Sequence, residues 1–315
     1  MNELLQVKDL KKHFVKKTLG GKSSVKAVDG INLTVHEGEI LSIVGESGCG
    51  KSTLGRCMLR LLNPTEGEVI FEDQNIVDMS KKELRAMRKD FQIIFQDPYE
   101  SLNPRSTIKE ILEEPLIAHK IPKKERSKYI NEILVKVGLS KEQLYLYPHQ
   151  FSGGQKQRIG IARALILNPK LIVADEPVSA LDVSVQSQIL NLMSDLQDEF
   201  NLTYVFISHD LSVVEFISDR VAVMYLGKIV ELGTKEQVFD NALHPYTKAL
   251  LSAIPIPDPT VEKERITLQG DLPSPANPPK GCPFHTRCPM KMDICASKMP
   301  ITKEIDGQQV ACHLY

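Results

Sequence analysis

A chain of 315 residues has room for two domains, or for one large domain with an appendix. With 42% hydrophobic and 25% charged residues it has the balance of a soluble globular protein, and no apolar run approaches the ~18 residues of a membrane span. Lys and Arg total 39 against 40 Asp and Glu, a net charge of −1, which excludes a protein whose whole surface wraps nucleic acid.

The opening stretch, MNELLQVKDLKKHF, has neither an apolar core nor a small-residue cleavage site. No secretory signal is expected there, and the expected location is the cytoplasm. A reducing compartment argues against structural disulfides among the six cysteines. LLQVKDL and VKAVDGINLTV read as strands, and the seven lysines from Lys8 to Lys26 as a solvated face. ILSIV is short, β-branched and flanked by glycines, the pattern of a buried strand, and a helical stretch, KSTLGRCMLRLL, follows at once. Strand, Gly-rich turn and helix open a βαβ unit. FQIIFQ reads as another strand, and residues 107–137 as helices with turns around Pro115 and Pro122. GQKQRIGIARALIL is a predicted helix, LIVAD a strand and VQSQILNLMSDLQDEF a long amphipathic helix; TYVFIS and RVAVMYL are further strands. This alternation predicts a parallel sheet covered on both faces.

Composition shifts near residue 254. Eight of the 19 prolines fall between Pro255 and Pro283, so a linker or irregular segment is expected there. The expected division is a main domain over 1–253 and a Pro-rich, Cys-rich extension over 254–315. The last part of that extension has little hydrophobic periodicity and needs a staple.

Residues 45–52 read GESGCGKS and match G-x-x-x-x-G-K-[ST] directly after the apolar strand and at the start of a helix, the context that identifies a phosphate-binding loop. Gly45, Glu46, Ser47, Gly48, Cys49, Gly50, Lys51, Ser52 and Thr53 are therefore candidate nucleotide-binding residues. Backbone N–H groups and a helix N-terminus suit phosphate oxygens. Lys51 reaches the β- and γ-phosphates, and the Ser52 hydroxyl ligates Mg²⁺. Cys49 is expected to serve as a small residue contributing its N–H. LIVAD ends in Asp175, a second candidate for Mg²⁺; Glu176 diverges from it along the strand and is free to polarise the attacking water. In FSGGQKQR, Ser152 suits an N-cap, and Gly153 and Gly154 allow close backbone approach. The helix that follows offers a second anion-binding end, which one nucleotide on one chain does not require.

Cys282, Cys288, Cys295 and Cys312 supply four soft thiolates in a segment without a core of its own. Such a set suits Zn²⁺ or an iron–sulfur cluster. His285 and His313 are rival zinc ligands, and free thiols packed as small hydrophobes are the remaining reading.

The loop at 45–53, SGGQ at 152–155, LIVADE at 171–176, SALD at 179–182 and His209 in FISHD occur in the order and spacing of ABC-type ATPases, and the chain resembles that family. Gln96 in FQDPYESLNP resembles its Q-loop residue, and Phe14 resembles the aromatic that stacks on adenine, the alternative being an ordinary core aromatic. YPHQFSGGQKQRIGIARAL, LHPYTKALLSAIP and GCPFHTRCP look like the ATP-binding subunits of bacterial oligopeptide and dipeptide importers, and LPSPANPPKGC like the second of their two paired ATPases. The resemblance covers essentially the whole chain. It implies a parallel core sheet, an antiparallel β subdomain and a helical subdomain, followed by a small irregular Cys-rich extension. It implies a head-to-tail dimer with a homologous ATPase, in which Ser152, Gly153, Gly154 and Gln155 complete the partner's ATP site. His209 would contact the γ-phosphate, and Gln96 would sense Mg²⁺ and the attacking water. For the cysteines it points to a structural [4Fe–4S] cluster, with zinc as the alternative. ATP binding is expected to survive loss of that cluster, because the phosphate loop would lie in a separate domain. The helix of the HPYT segment is expected to pack the C-terminal part onto the ATPase.

The expected function is ATP hydrolysis that energises peptide import at the cytoplasmic face of the membrane. The expected partners are two transmembrane permeases and an extracytoplasmic peptide-binding protein. Nickel or another small solute could replace peptide, since other subunits choose it. An ABC ATPase acting on nucleic acid or ribosomes typically has two cassettes or a long coiled-coil insertion. This chain has one motif set and no heptad run. SGGQ, SALD and His209 exclude a simple P-loop kinase.

Overall fold

The computed structural model describes residues 2–18, 21–255 and 265–315. The tip of the LGGKSS loop, and Pro257 and Pro259 of the proline-rich stretch, lie outside the described residues. In chain order the elements are β1 (Glu3–Thr18), β2 (Gly21–His36), β3 (Ile40–Val44), α1 (Lys51–Met58), β4 (Glu66–Phe71), β5 (Gln74–Asn75), α2 (Lys81–Met87), β6 (Phe91–Ile94), α3 (Pro98–Ser101), α4 (Ile108–Ala118) and α5 (Lys123–Lys136). There follow α6 (Gly153–Leu165), β7 (Leu171–Asp175), α7 (Val183–Phe200), β8 (Thr203–Ile207), α8 (Leu211–Ile217), β9 (Arg220–Tyr225), β10 (Lys228–Thr234), α9 (Lys235–Asp240), α10 (Pro245–Ser252), β11 (Lys303–Ile305) and β12 (Gln308–Val310).

The chain divides into two compact units. The middle unit holds Met1–Asn2, His36–Glu39 and Asp78–Ile207; the terminal unit holds Glu3–Val35, Ile40–Val77 and Ser208–Tyr315. In the middle unit β8, β7 and β6 lie side by side, all parallel, with Leu171 opposite both Phe91 and Thr203. Every residue of β7 and β8 is buried, as for strands covered on both faces. Helix α4 runs through Pro115 instead of turning there. Thr107 and Glu110 form a capping box at its start, and the buried face of Ile108, Ile111, Leu112 and Leu116 carries the helix past the missing N–H. The expected turn at Pro122 is present as the N-cap of α5.

The terminal unit contains the antiparallel sheet β2-β1-β4-β5. β1 pairs with β4, Leu5 opposite Phe71, with a register shift between Lys8 and Lys11 where Asp9 takes a φ of 42°. It also contains the strand run β11-β12-β10-β9-β3, in which β3 and β9 are parallel and the rest antiparallel. Leu226 and Gly227 join β9 to β10 with φ of 43° and 78°, the signs a two-residue hairpin of the primed type requires. The extension is less irregular than expected. Asp306 and Gly307, at φ 51° and 79°, turn β11 into β12, and β12 pairs with β10. Among the described residues no helix is long and apolar enough to cross a membrane.

Candidate functional site

The phosphate loop follows the fully buried β3. A Cβ at Gly45 would lie 2.1 Å from the Met224 carbonyl, and one at Gly50 1.9 Å from the Ala27 carbonyl, so the loop's path admits only glycine at both positions. Gly50, at φ 108°, is the N-cap of α1. Lys51 is 4% exposed, and its Nζ donates to the Gly45 and Glu46 carbonyls at 2.8 and 3.2 Å. The Cys49 N–H donates to the Glu46 carbonyl at 3.2 Å. The Cys49 thiol is buried, and that burial pushes its pKa up, as befits an inert side chain.

In the middle unit Asp175 ends β7 and is buried. Glu176 follows in the left-handed region, at φ 47°, with its N–H on the Ile207 carbonyl. The Gln96 amide donates to Glu176 Oε2 at 2.9 Å, so the structure brings these two candidates together. Ser152 caps α6: its Oγ accepts the Gln155 N–H, and Gln155 Oε1 accepts the Ser152 N–H, a reciprocal capping box. Four residues into this element, Lys156 is buried with its Nζ 3.7 Å from the centre of the Tyr99 ring.

In the terminal unit His209 is exposed just ahead of α8, whose cap is Asp210. Phe14 lies on β1, 42% exposed, with Lys12 Nζ 5.2 Å above its ring; it is not a core aromatic.

The four C-terminal cysteines belong to the same terminal unit as the phosphate loop. Cys282 and Cys295 are buried in a cluster with Tyr225, Tyr246 and Phe284, and Cys288 packs against it. The Cys282 N–H donates to the Cys295 carbonyl at 2.8 Å. Burial, then the neighbouring thiols Cys295, Cys312 and Cys288, push the Cys282 pKa up to about 11. The thiols of Cys288 and Cys312 are raised too, by burial first. The four are thus gathered, but among the described residues no three His, Cys, Asp or Glu side chains converge as ligands of a metal ion. His285 Nδ1 instead meets the Cys282 carbonyl, and His313 Nε2 the Lys298 carbonyl. The phosphate loop and the cysteine segment are in direct contact: Arg287, next to Cys288, forms a two-pronged ion pair with Glu46 of the loop, at 2.7 and 3.0 Å.

Residues 28–179 match the family model "ABC transporter", and residues 230–295 match "Oligopeptide/dipeptide transporter, C-terminal region". The oligopeptide transport ATP-binding protein AppF of Bacillus subtilis is 56% identical over 99% of this chain and 97% of its own length. The dipeptide transport ATP-binding protein DppF of Escherichia coli is 53% identical over 98% of this chain and 93% of its own. This chain belongs to the ABC transporter ATP-binding proteins of the oligopeptide/dipeptide class. Among solved structures, cbiO1 from Clostridium perfringens, part of the transporter complex cbiONQ, superposes with a TM-score of 0.67 at 30% identity, covering 76% of this chain and 92% of that one. The ATP-binding cassette MJ0796, solved as a dimer bound to ADP and Pi, gives 0.66 at 33% identity over 74% of this chain and 99% of that one.

Two residues of this ABC protein escape a sequence reading. Tyr246 sits in the quoted HPYT segment, and Arg287 in GCPFHTRCP beside the cysteines that draw attention away from it. The available signal was an arginine set directly beside one of the four cysteines, which must find an anion when buried.

Proposed function

We propose that this chain hydrolyses ATP to drive import of di- and oligopeptides, docked at the cytoplasmic face of the membrane. The observation that carries the reading is the match of residues 230–295 to the oligopeptide/dipeptide C-terminal region. Its partners would be a homologous ATPase, two transmembrane permeases and an extracytoplasmic peptide-binding protein. The cassette would be residues 1–253 and the appended segment 254–315, a division by composition that differs from the two compact units.

In this reading N–H groups of residues 45–53 other than that of Glu46, together with the Lys51 ammonium, take the phosphates, and Phe14 stacks on adenine. Lys51 then exchanges its loop carbonyls for phosphate oxygens. Ser52 and Asp175 are the oxygen donors that suit a hard cation; Mg²⁺, when bound, neutralises charge on the transferring phosphoryl group. Gln96 holds the Glu176 carboxylate in place, and Glu176 draws a proton from the attacking water. His209 meets the γ-phosphate. Ser152, Gly153, Gly154 and Gln155 act on the partner's nucleotide; the capping box fixes that helix end for the task, and the ADP- and Pi-bound dimer of MJ0796 supports such a pairing. The four cysteines enter as ligands of a [4Fe–4S] cluster. Four thiols in one segment are the donor set such a cluster uses, and Zn²⁺ is the alternative.

Uptake of a labelled dipeptide and oligopeptide in cells lacking the chain tests the function. Restoration by the intact gene but not by Lys51→Ala supports it, whereas loss of nickel uptake with peptide uptake intact would redirect it. Iron bound by anaerobically purified protein, absent in Cys295→Ser, tests the cluster; metal-free wild-type protein would remove it.

A further inference from the structure

Glu46 occupies the second position of the phosphate loop, and every hydrogen-bonding group it owns is engaged. Its carbonyl accepts from Lys51 and Cys49 within the loop. Its N–H donates to the Tyr246 hydroxyl at 2.9 Å. Its two carboxylate oxygens accept from the two terminal nitrogens of Arg287. Two of these partners come from the far end of the chain, 200 and 241 positions away.

The partners are themselves braced. Tyr246 is fully buried, with its ring centre 4.7 Å from that of Tyr225 and 5.3 Å from that of Phe284. Phe284, 1% exposed, anchors the turn in which the Arg287 N–H donates to the Phe284 carbonyl at 3.0 Å. The Arg287 side chain is 10% exposed, so its fork is largely shielded from competing water.

A carboxylate in a loop built to receive polyphosphate is an electrostatic liability unless a cation answers it. A loop that binds through backbone N–H groups also gains affinity from being held in shape beforehand. We propose that Arg287 and Tyr246 are positioning residues of the ATP site: the cysteine segment pins the phosphate loop through Glu46 and neutralises its charge, so that nucleotide affinity depends on the C-terminal segment. Because Arg287 lies between Cys282 and Cys295, a change in the state of those thiols that shifts the turn at 284–287 would reach the loop. The inference rests on the reading of residues 45–53 as an ATP site.

The test is the dissociation constant of MgATP for the purified full-length chain, measured by calorimetry. Arg287→Ala should weaken binding about tenfold, the scale of a lost charge-assisted pair. Adding Glu46→Gln to Arg287→Ala should restore affinity to within about threefold, since the unanswered charge is then gone. Tyr246→Phe, which keeps the ring packing, should cost about fivefold. Unchanged affinity in Arg287→Ala overturns the proposal. So does an equal loss with and without Glu46→Gln, which would make Arg287 a folding residue only. Binding by the unaltered chain that does not depend on Lys51 would overturn the ATP reading itself, and this inference with it.

Discussion

At the scale of single residues, the proposed chemistry turns on a carboxylate that leaves its strand in an uncommon backbone conformation. Glu176 has a φ of 47°, and Gln96 fixes one of its oxygens. Glu176→Gln keeps the size and still accepts the Gln96 N–H, but carries no negative charge to draw a proton from water. MgATP binding should persist while hydrolysis falls by roughly 100-fold or more. Phosphate release, read beside nucleotide binding, checks this; near-normal turnover would take Glu176 out of the reaction. The pairing of Glu176 with Gln96 spans 80 positions and has no local signature, although each residue stands in a recognisable motif.

At the scale of elements, α10 shows how a buried imidazole sets a helix end. His244 Nδ1 accepts the Tyr246 N–H at 3.0 Å, a bond that only a ring without a proton on that nitrogen can make. The ring is 1% exposed, and burial pushes its pKa down to about 3. In the unfolded chain the same group titrates near ~6.5. Between these values the unfolded chain binds a proton that the folded chain refuses, so stability falls as pH drops below ~6.5, by up to ~1.4 kcal/mol per pH unit. His244→Asn keeps a capping oxygen and removes the titration. Its urea midpoint should decline less than the wild type's from pH 6.5 to 4, and parallel declines would rule His244 out. Glu231, whose buried carboxylate accepts the Leu243 and His244 N–H groups and whose pKa burial raises, is common to both chains and cancels. Elements were legible where burial on both faces leaves a continuous apolar run, as in ILSIV and LIVAD. Pro115 misled because its helix rests on packing, which a local rule does not see. The β11–β12 hairpin was signalled by Asp306-Gly307 but overshadowed by the cysteines around it.

At the scale of the whole molecule, the sequence displayed the motifs in order but not how the chain is threaded through its two units. The dimer reading gives a test that needs two lesions. Ser152→Arg chains should still bind ATP through their own phosphate loops yet fail to complete a partner's site. Where homodimers form, mixing them with Lys51→Ala chains puts both lesions in one composite site and neither in the other, and ATPase activity should return. Persistent inactivity in the mixture would argue against action in trans or against independent sites. The interleaving also has a consequence for synthesis. The middle unit emerges from the ribosome as one nearly unbroken stretch, Asp78–Ile207, and can close early. The terminal unit must wait: β3 for β9, β10 for β12, and Glu46 for Tyr246 and Arg287. A nascent chain halted just short of Arg287 would already carry every ATPase motif the sequence displays, and would still lack the group that answers the charge in its phosphate loop.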